Sequence, residues 1–151
     1  MNAMRGRIAG IDYGSVRIGV ATADLDVRIA SPYETYTRRS PKLDAEYFVQ
    51  LAREERLIRF VVGLPVFTSG DESPKSRESR QFGAWLHEIT GVEVDYFDER
   101  YSSAEAENTL LAAQLPKKKR RARIDQLAAQ ILLSAYLEAG ARGQDAPPSL
   151  E

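Results

Sequence analysis

The chain contains no cysteine and one histidine, His87, in 151 residues. Disulfides and thiolate-bound zinc are therefore excluded, and so is a histidine-rich metal site. No apolar run approaches the roughly 18 residues that a membrane span needs. The N-terminus, Met1-Asn2-Ala3-Met4-Arg5, also lacks the apolar region of a signal peptide. The expected compartment is the cytoplasm, with no membrane partner. Neither a Gly-x-Gly-x-x-Gly dinucleotide motif nor a P-loop is present.

What is present is an ordinary globular composition, 43% hydrophobic and 28% charged, with a net charge of −1. The length suits one domain with a real core, expected over 5–140, followed by a polar, proline-bearing tail over 141–151 expected to be disordered. The charge is unevenly placed. Lys117, Lys118, Lys119, Arg120, Arg121 and Arg123 supply six of the 21 basic residues, leaving 15 basic against 22 acidic residues elsewhere. A concentrated basic stretch on an acidic body is a local footprint for polyanions. Such contacts position a nucleic-acid backbone without reading its bases.

Periodicity predicts strands over Arg7–Ile11, Arg17–Ala23 and Val27–Ala30, forming an antiparallel meander, with a polar connection from Ser31 to Arg39. Ser40-Pro41 opens a helix that turns Leu43, Tyr47, Phe48 and Leu51 inward and ends near Arg56. A strand rich in β-branched residues follows over Leu57–Val62, and then an exposed loop from Thr68 to Ser76. Phe82, Trp85, Leu86 and Ile89 mark an amphipathic helix that Gly91 closes; its stripe skips His87, which is expected at the surface. The fifth strand is Val92–Phe97. Ser102 and Glu105 form a capping box for a helix to about Ala113, which Pro116 breaks. After the basic run, a last helix carries Ile124, Leu127, Ala128, Ile131 and Ala135 on one face.

These elements give an α/β fold with a five-stranded mixed sheet in the order 3-2-1-4-5, strand 2 antiparallel, flanked by helices. The first strand runs straight into Asp12, which places a carboxylate at the sheet rim, where clefts open in α/β folds. The pair Asp98-Glu99 ends the fifth strand, and Asp125 stands in the expected first turn of the last helix, off its apolar stripe. Alternation along a strand lets only one of Asp98 and Glu99 face the cleft. Carboxylates converging from separate elements suit hard divalent cations such as Mg²⁺ or Mn²⁺. Arg17, in the hairpin close to Asp12, is a further phosphate candidate.

Four ordered motifs resemble one family: Gly10-Ile11-Asp12-Tyr13-Gly14-Ser15-Val16-Arg17-Ile18-Gly19-Val20-Ala21, Val61-Val62-Gly63-Leu64-Pro65, Asp98-Glu99-Arg100-Tyr101-Ser102-Ser103, and the basic-then-helical ending Lys118 to Leu137 with Ile124-Asp125. They are similar to the YqgF/RuvX family of bacterial ribonuclease H-like proteins, related to the Holliday-junction resolvase RuvC. Val66–Gly70 and Tyr101 depart from the family pattern. The resemblance implies a ribonuclease H-like fold and a nuclease that matures the 5′ end of pre-16S ribosomal RNA, or a resolvase of branched DNA. It also implies two metal ions bound by Asp12, Glu99 and Asp125, with Asp12 bridging and Glu99 favoured over Asp98. Structured RNA is the expected partner, with branched DNA the alternative and the particle a monomer or a homodimer. A non-catalytic nucleic-acid-binding module is the competing non-enzyme reading. An actin-like ATPase needs two such lobes, and this chain has room for one.

Overall fold

The apolar run Ile8–Ile11 builds the central strand of a five-stranded sheet in this computed structural model, which describes residues 6–65, 73–99 and 116–140, with the backbone alone for 117–121. Strand β1 (Arg7–Asp12) pairs antiparallel with β2 (Arg17–Asp24) and parallel with β4 (Leu57–Leu64). Strand β3 (Ala30–Thr37) pairs antiparallel with β2, and β5 (Glu93–Asp98) lies parallel to β4. The order is β3-β2-β1-β4-β5, as the sequence predicts.

Strand alternation divides the core into two layers. Ala9, Ile11, Ile18, Val20, Phe60 and Val62 face helices α1 (Pro41–Glu54) and α2 (Pro74–Thr90). Ile8, Ala21, Ala23, Val61 and Phe97 face helix α3 (Lys117–Glu138). The helix ends follow local chemistry. Ser40 Oγ accepts from Leu43 N at 3.2 Å, and Ser73 Oγ accepts from Ser76 N at 3.0 Å. Gly91 closes α2 in the left-handed region at φ 74°.

The structure corrects several expectations. The third strand occupies Ala30–Thr37 rather than Val27–Ala30, and the predicted polar connection is mostly that strand. Asp24 Oδ1 accepts from the backbone N–H groups of Asp26 and Val27, so the turn consumes Val27 and Ile29, which are left exposed. Pro32 is tolerated because β3 is an edge strand, with a register shift opposite Val20/Ala21. On α1 the inward residue is Asp44 rather than Leu43, which is exposed. The expected loop over Thr68–Ser76 ends early: Ser73 caps α2, and both Ser73 and Ser76 are buried.

Helix α3 also begins earlier than predicted. It starts at Lys117, so the basic run forms its first two turns and Asp125 lies in the third. Its buried stripe is Ala128, Ala129, Leu132, Leu133, Tyr136 and Leu137. Asp125, three and four residues before Ala128 and Ala129, continues that stripe rather than lying off it. The predicted helix from Ser102 to Ala113 falls outside the described residues, as do most of the expected loop and the tail 141–151. Trp85 packs partly buried against the α1–α2 layer, and His87 is exposed, with Nδ1 2.9 Å from the Val92 carbonyl oxygen.

Ser76 Oγ is fully buried and has no hydrogen-bond partner among the described residues. A buried hydroxyl left unpaired costs about 1–3 kcal/mol, and alanine is the better helix former. Ser76→Ala is therefore expected to raise unfolding free energy by about 1 kcal/mol in urea denaturation. A loss of that size instead would mean that the hydroxyl has a partner.

Candidate active site

The rim of the sheet at the C-terminal end of β1 collects the chemistry. The register Asp12↔Gly19 and Arg17↔Thr37 brings the end of β1, the start of β2 and the end of β3 to one corner. The parallel strands β4 and β5 end on the same side, at Leu64 and Asp98. Helix α3 crosses this sheet diagonally. The hydroxyl of Thr35 on β3 donates to the Ala122 carbonyl, and the backbone of Asp125 lies on Gly19 of β2. Further along, Ala129 and Leu133 cover Gly10 of β1, and Leu132 covers Gly63 of β4. Finally, the Tyr136 hydroxyl donates to Asp95 Oδ2 on β5 at 2.6 Å.

These glycines make the site possible, because a side chain at Gly19 would hold the helix away. A Cβ at Gly63 would stand 2.5 Å from Glu99 Oε2, so the Glu99 carboxylate lies over β4 on the α3 face. Asp98 follows Tyr96 by two residues, which places it on the opposite, α1–α2 face, where it is only 3% exposed. Of the two acids at the end of β5, Glu99 is thus the one that shares a face with Asp12 and Asp125.

Burial pushes the Asp12 carboxyl up from 3.8 to about 7, helped by the negative charges of Glu99 and Asp125, while Lys75 opposes the shift. Among the described residues no donor hydrogen-bonds that carboxyl. A desolvated acid facing two more acids is electrostatically unsatisfied, and a cation relieves all three at once. The donor set is oxygen throughout, which fits Mg²⁺ or Mn²⁺. Among the described residues no three such side chains already converge on one point as ligands. Asp125 is instead turned towards Arg17, whose Nε donates to Oδ2 at 2.9 Å. Asp125 Oδ1 and both terminal nitrogens of Arg17 have no partner among the described residues.

The basic run precedes Asp125 on α3. Lys117, Lys118, Lys119, Arg120 and Arg121 lie on its first turns, with side chains outside the described residues, and Arg123 is exposed. Eight residues of helix separate Lys117 from Asp125, a span of about 12 Å at 1.5 Å per residue. Two groups were not singled out from sequence. Lys75, in the first turn of α2, is exposed and lies close enough to act on Asp12. Glycines inside strands were the available signal for the close helix crossing.

The model of the RuvX family, described as "Holliday junction resolvase", matches residues 6–139. The chain belongs to the RuvX family. A relative from Rhodopirellula baltica, named "Putative pre-16S rRNA nuclease", is 48% identical over 134 residues, which is 89% of this chain and 78% of its own. One of the same name from Syntrophomonas wolfei is 39% identical over 139 residues, covering 92% of this chain and 99% of its own. Among solved structures, Thermus thermophilus RuvC in complex with a Holliday junction substrate superposes with a TM-score of 0.55 at 16% identity. The match covers 92% of this chain and 99% of that one. This likeness shows the fold, which is ribonuclease H-like. No helix among the described residues is long and apolar enough to cross a membrane.

Proposed function

We propose that this RuvX-family chain is a divalent-metal-dependent nuclease that acts on structured RNA, trimming the 5′ end of pre-16S ribosomal RNA. The observation that carries the reading is the grouping of Asp12, Glu99 and Asp125 on one face of the sheet rim, with Asp12 desolvated and raised in pKa by the other two. The names of the curated relatives support the substrate.

Hydrolysis of a phosphodiester needs a water made nucleophilic and charge offset on the leaving oxygen, and a pair of divalent cations supplies both when bound. Asp12 would stand at the centre of that site. Glu99 approaches from the end of β5 and Asp125 from α3. Arg17 holds Asp125 in its rotamer and keeps two terminal nitrogens for a phosphate. Lys117–Arg123 hold the nucleic-acid backbone beside it.

Branched DNA is the second reading, favoured by the description of the family model and by the fold shared with RuvC. The test is cleavage of a matched set: structured RNA with a 5′ extension, single-stranded RNA, duplex DNA and a four-way DNA junction, each with Mg²⁺, Mn²⁺ or EDTA. Cutting of the extended RNA in metal alone is the expected result. Preference for the junction would move the assignment to resolution, which also calls for two sites on one symmetric particle. Binding without cutting in every metal would leave a non-catalytic module.

Replacing Lys118, Lys119 and Arg120 with alanine is expected to weaken RNA binding and flatten its dependence on salt. For a single strand, the slope of log K against log salt falls by about 0.7 for every phosphate that is no longer neutralised. An unchanged slope would reduce the run to a solvated helix end.

A further inference from the structure

Beyond the carboxylates and the basic run, the corner where β3 ends holds a second cationic structure. Arg38 and Arg39 follow Thr37, and Arg38 N donates to the Val16 carbonyl at 2.9 Å, next to the pairing of Arg17 with Thr37. Arg38 is held on several sides. Its Nε donates to Asp44 Oδ2 at 3.2 Å, and its Nη1 to the Tyr13 hydroxyl at 3.0 Å. Its guanidinium also lies over the rings of Tyr13 and Phe82, 5.5 and 5.7 Å from their centroids. Tyr13 is the residue immediately after Asp12.

Asp44 is the hub. It is 2% exposed, accepts from the Tyr36 hydroxyl at 2.6 Å and from Arg39 N at 2.9 Å, and its carboxyl is held below the usual range by the hydrogen bonds that outweigh its burial. The Arg39 guanidinium stacks over Tyr36 at 5.5 Å. The Asp44 carboxylate therefore pairs with one guanidinium, that of Arg38, and meets Arg39 only through its backbone N–H, so the charges of Arg38, Arg39 and Asp44 sum to a net positive cluster. Arg38 is half-buried and Arg39 exposed, so both can be reached from solvent. Nη2 of Arg38 has no partner among the described residues.

Arg38, fixed by stacking and by a buried carboxylate, has little freedom left to lose, Arg39 is steadied by the ring of Tyr36, and a planar guanidinium fork matches phosphate oxygens. We propose that Arg38 and Arg39 form a second phosphate anchor, which takes a backbone phosphate flanking the scissile one. This inference rests on the nuclease reading above. Its geometric content is a path. Asp12, Glu99 and Asp125 lie on the α3 face, whereas Tyr13 and Phe82 belong to the α1–α2 layer. A strand bound at both must pass over the hairpin at Tyr13–Val16, with Arg17 beneath it.

The test is equilibrium binding of a fluorescent single-stranded RNA oligonucleotide in EDTA, where nothing is cut, across a salt series. Arg39→Gln, Arg38→Gln and Arg38→Lys are compared with wild type, and each is melted to check its fold. Arg39→Gln is expected to lower affinity about threefold or more at low salt and to reduce the salt slope by about 0.7. Arg38→Lys keeps the charge and loses the fork, so it should fall between wild type and Arg38→Gln. If Arg38→Gln unfolds because the buried Asp44 loses its ion-pair partner, the exposed Arg39→Gln carries the result alone. A purely structural cluster would lower melting temperature and leave affinity and slope unchanged in Arg39→Gln; that outcome overturns the anchor while the nuclease stands. Wild type failing to bind the oligonucleotide would overturn the anchor, and cleavage of the structured RNA then decides the nuclease separately.

Discussion

Asp12→Asn is expected to abolish metal-dependent cleavage and, at the same time, to make the metal-free protein harder to unfold above neutral pH. The two effects have one cause. In the folded chain burial and two neighbouring acids raise the Asp12 carboxyl to about 7 from an ordinary 3.8. Between these values the folded state holds a proton that the unfolded state has released. Stability therefore falls as pH rises from about 4 to about 7, and above that the cost levels off. A shift of this size corresponds to about 4 kcal/mol at full ionisation. Asparagine keeps the shape and carries no charge, so the variant gains nothing below about pH 4 and most of that amount at about pH 8.

Divalent metal should reverse the order. Mg²⁺ or Mn²⁺ at millimolar concentration is expected to raise the melting temperature of wild type at about pH 8 and to have far less effect on the variant, because ligands of the folded state stabilise it by mass action. Melting curves at about pH 4, 6 and 8, with metal and with EDTA, check both halves. A variant that melts with wild type at the highest pH in EDTA would show that Asp12 is not desolvated. A variant that still cuts would remove it from the site.

The rim carboxylate was legible because β1 has an unmistakable pattern, four apolar or small residues ending on an acid. The strand order was legible for the same reason: periodicities of two and 3.6 alternate cleanly from Leu57 to Phe97. Strand β3 was displaced because a side-chain turn at Asp24 competes with pairing, and its two hydrogen bonds cannot be weighed against the alternation of Val27 and Ile29 without a partner strand. Alternation limited Asp98 and Glu99 to one inward residue, but only the register of β5 on β4 says which, with Leu64 opposite Asp98. The Arg38–Asp44 cluster was hidden for a different reason. An aspartate at an otherwise apolar position of α1 reads as a solvated charge until tertiary structure brings two arginines and a tyrosine to it.

The largest loss of stability coupled to loss of activity is expected from Gly19→Ala. Helix α3 crosses β2 there, and a Cβ would collide with the backbone carbonyl of Asp125. The obstacle is main chain held by a hydrogen-bonded helix, so no rotamer change clears it. Overpacking of this kind costs about 1–3 kcal/mol and occasionally more, and here the upper end is expected. Relief requires α3 to lift, which withdraws Asp125 from Asp12 and strains its ion pair with Arg17. A displacement of about 1 Å in a catalytic group costs on the order of a hundredfold in rate. Gly91→Ala provides the contrast. Its Cβ would meet nothing within 4 Å, but its φ of 74° is unfavourable for alanine. It should therefore lose about 1 kcal/mol of stability and keep its rate. Denaturation and single-turnover cleavage of the two variants separate weakened folding from a moved carboxylate. If both lose stability and both cut normally, the close approach of α3 to β2 is not what places Asp125. A rate loss confined to Gly19→Ala, under conditions where both variants are fully folded, would assign the position of that acid to the absence of one side chain on the strand beneath it.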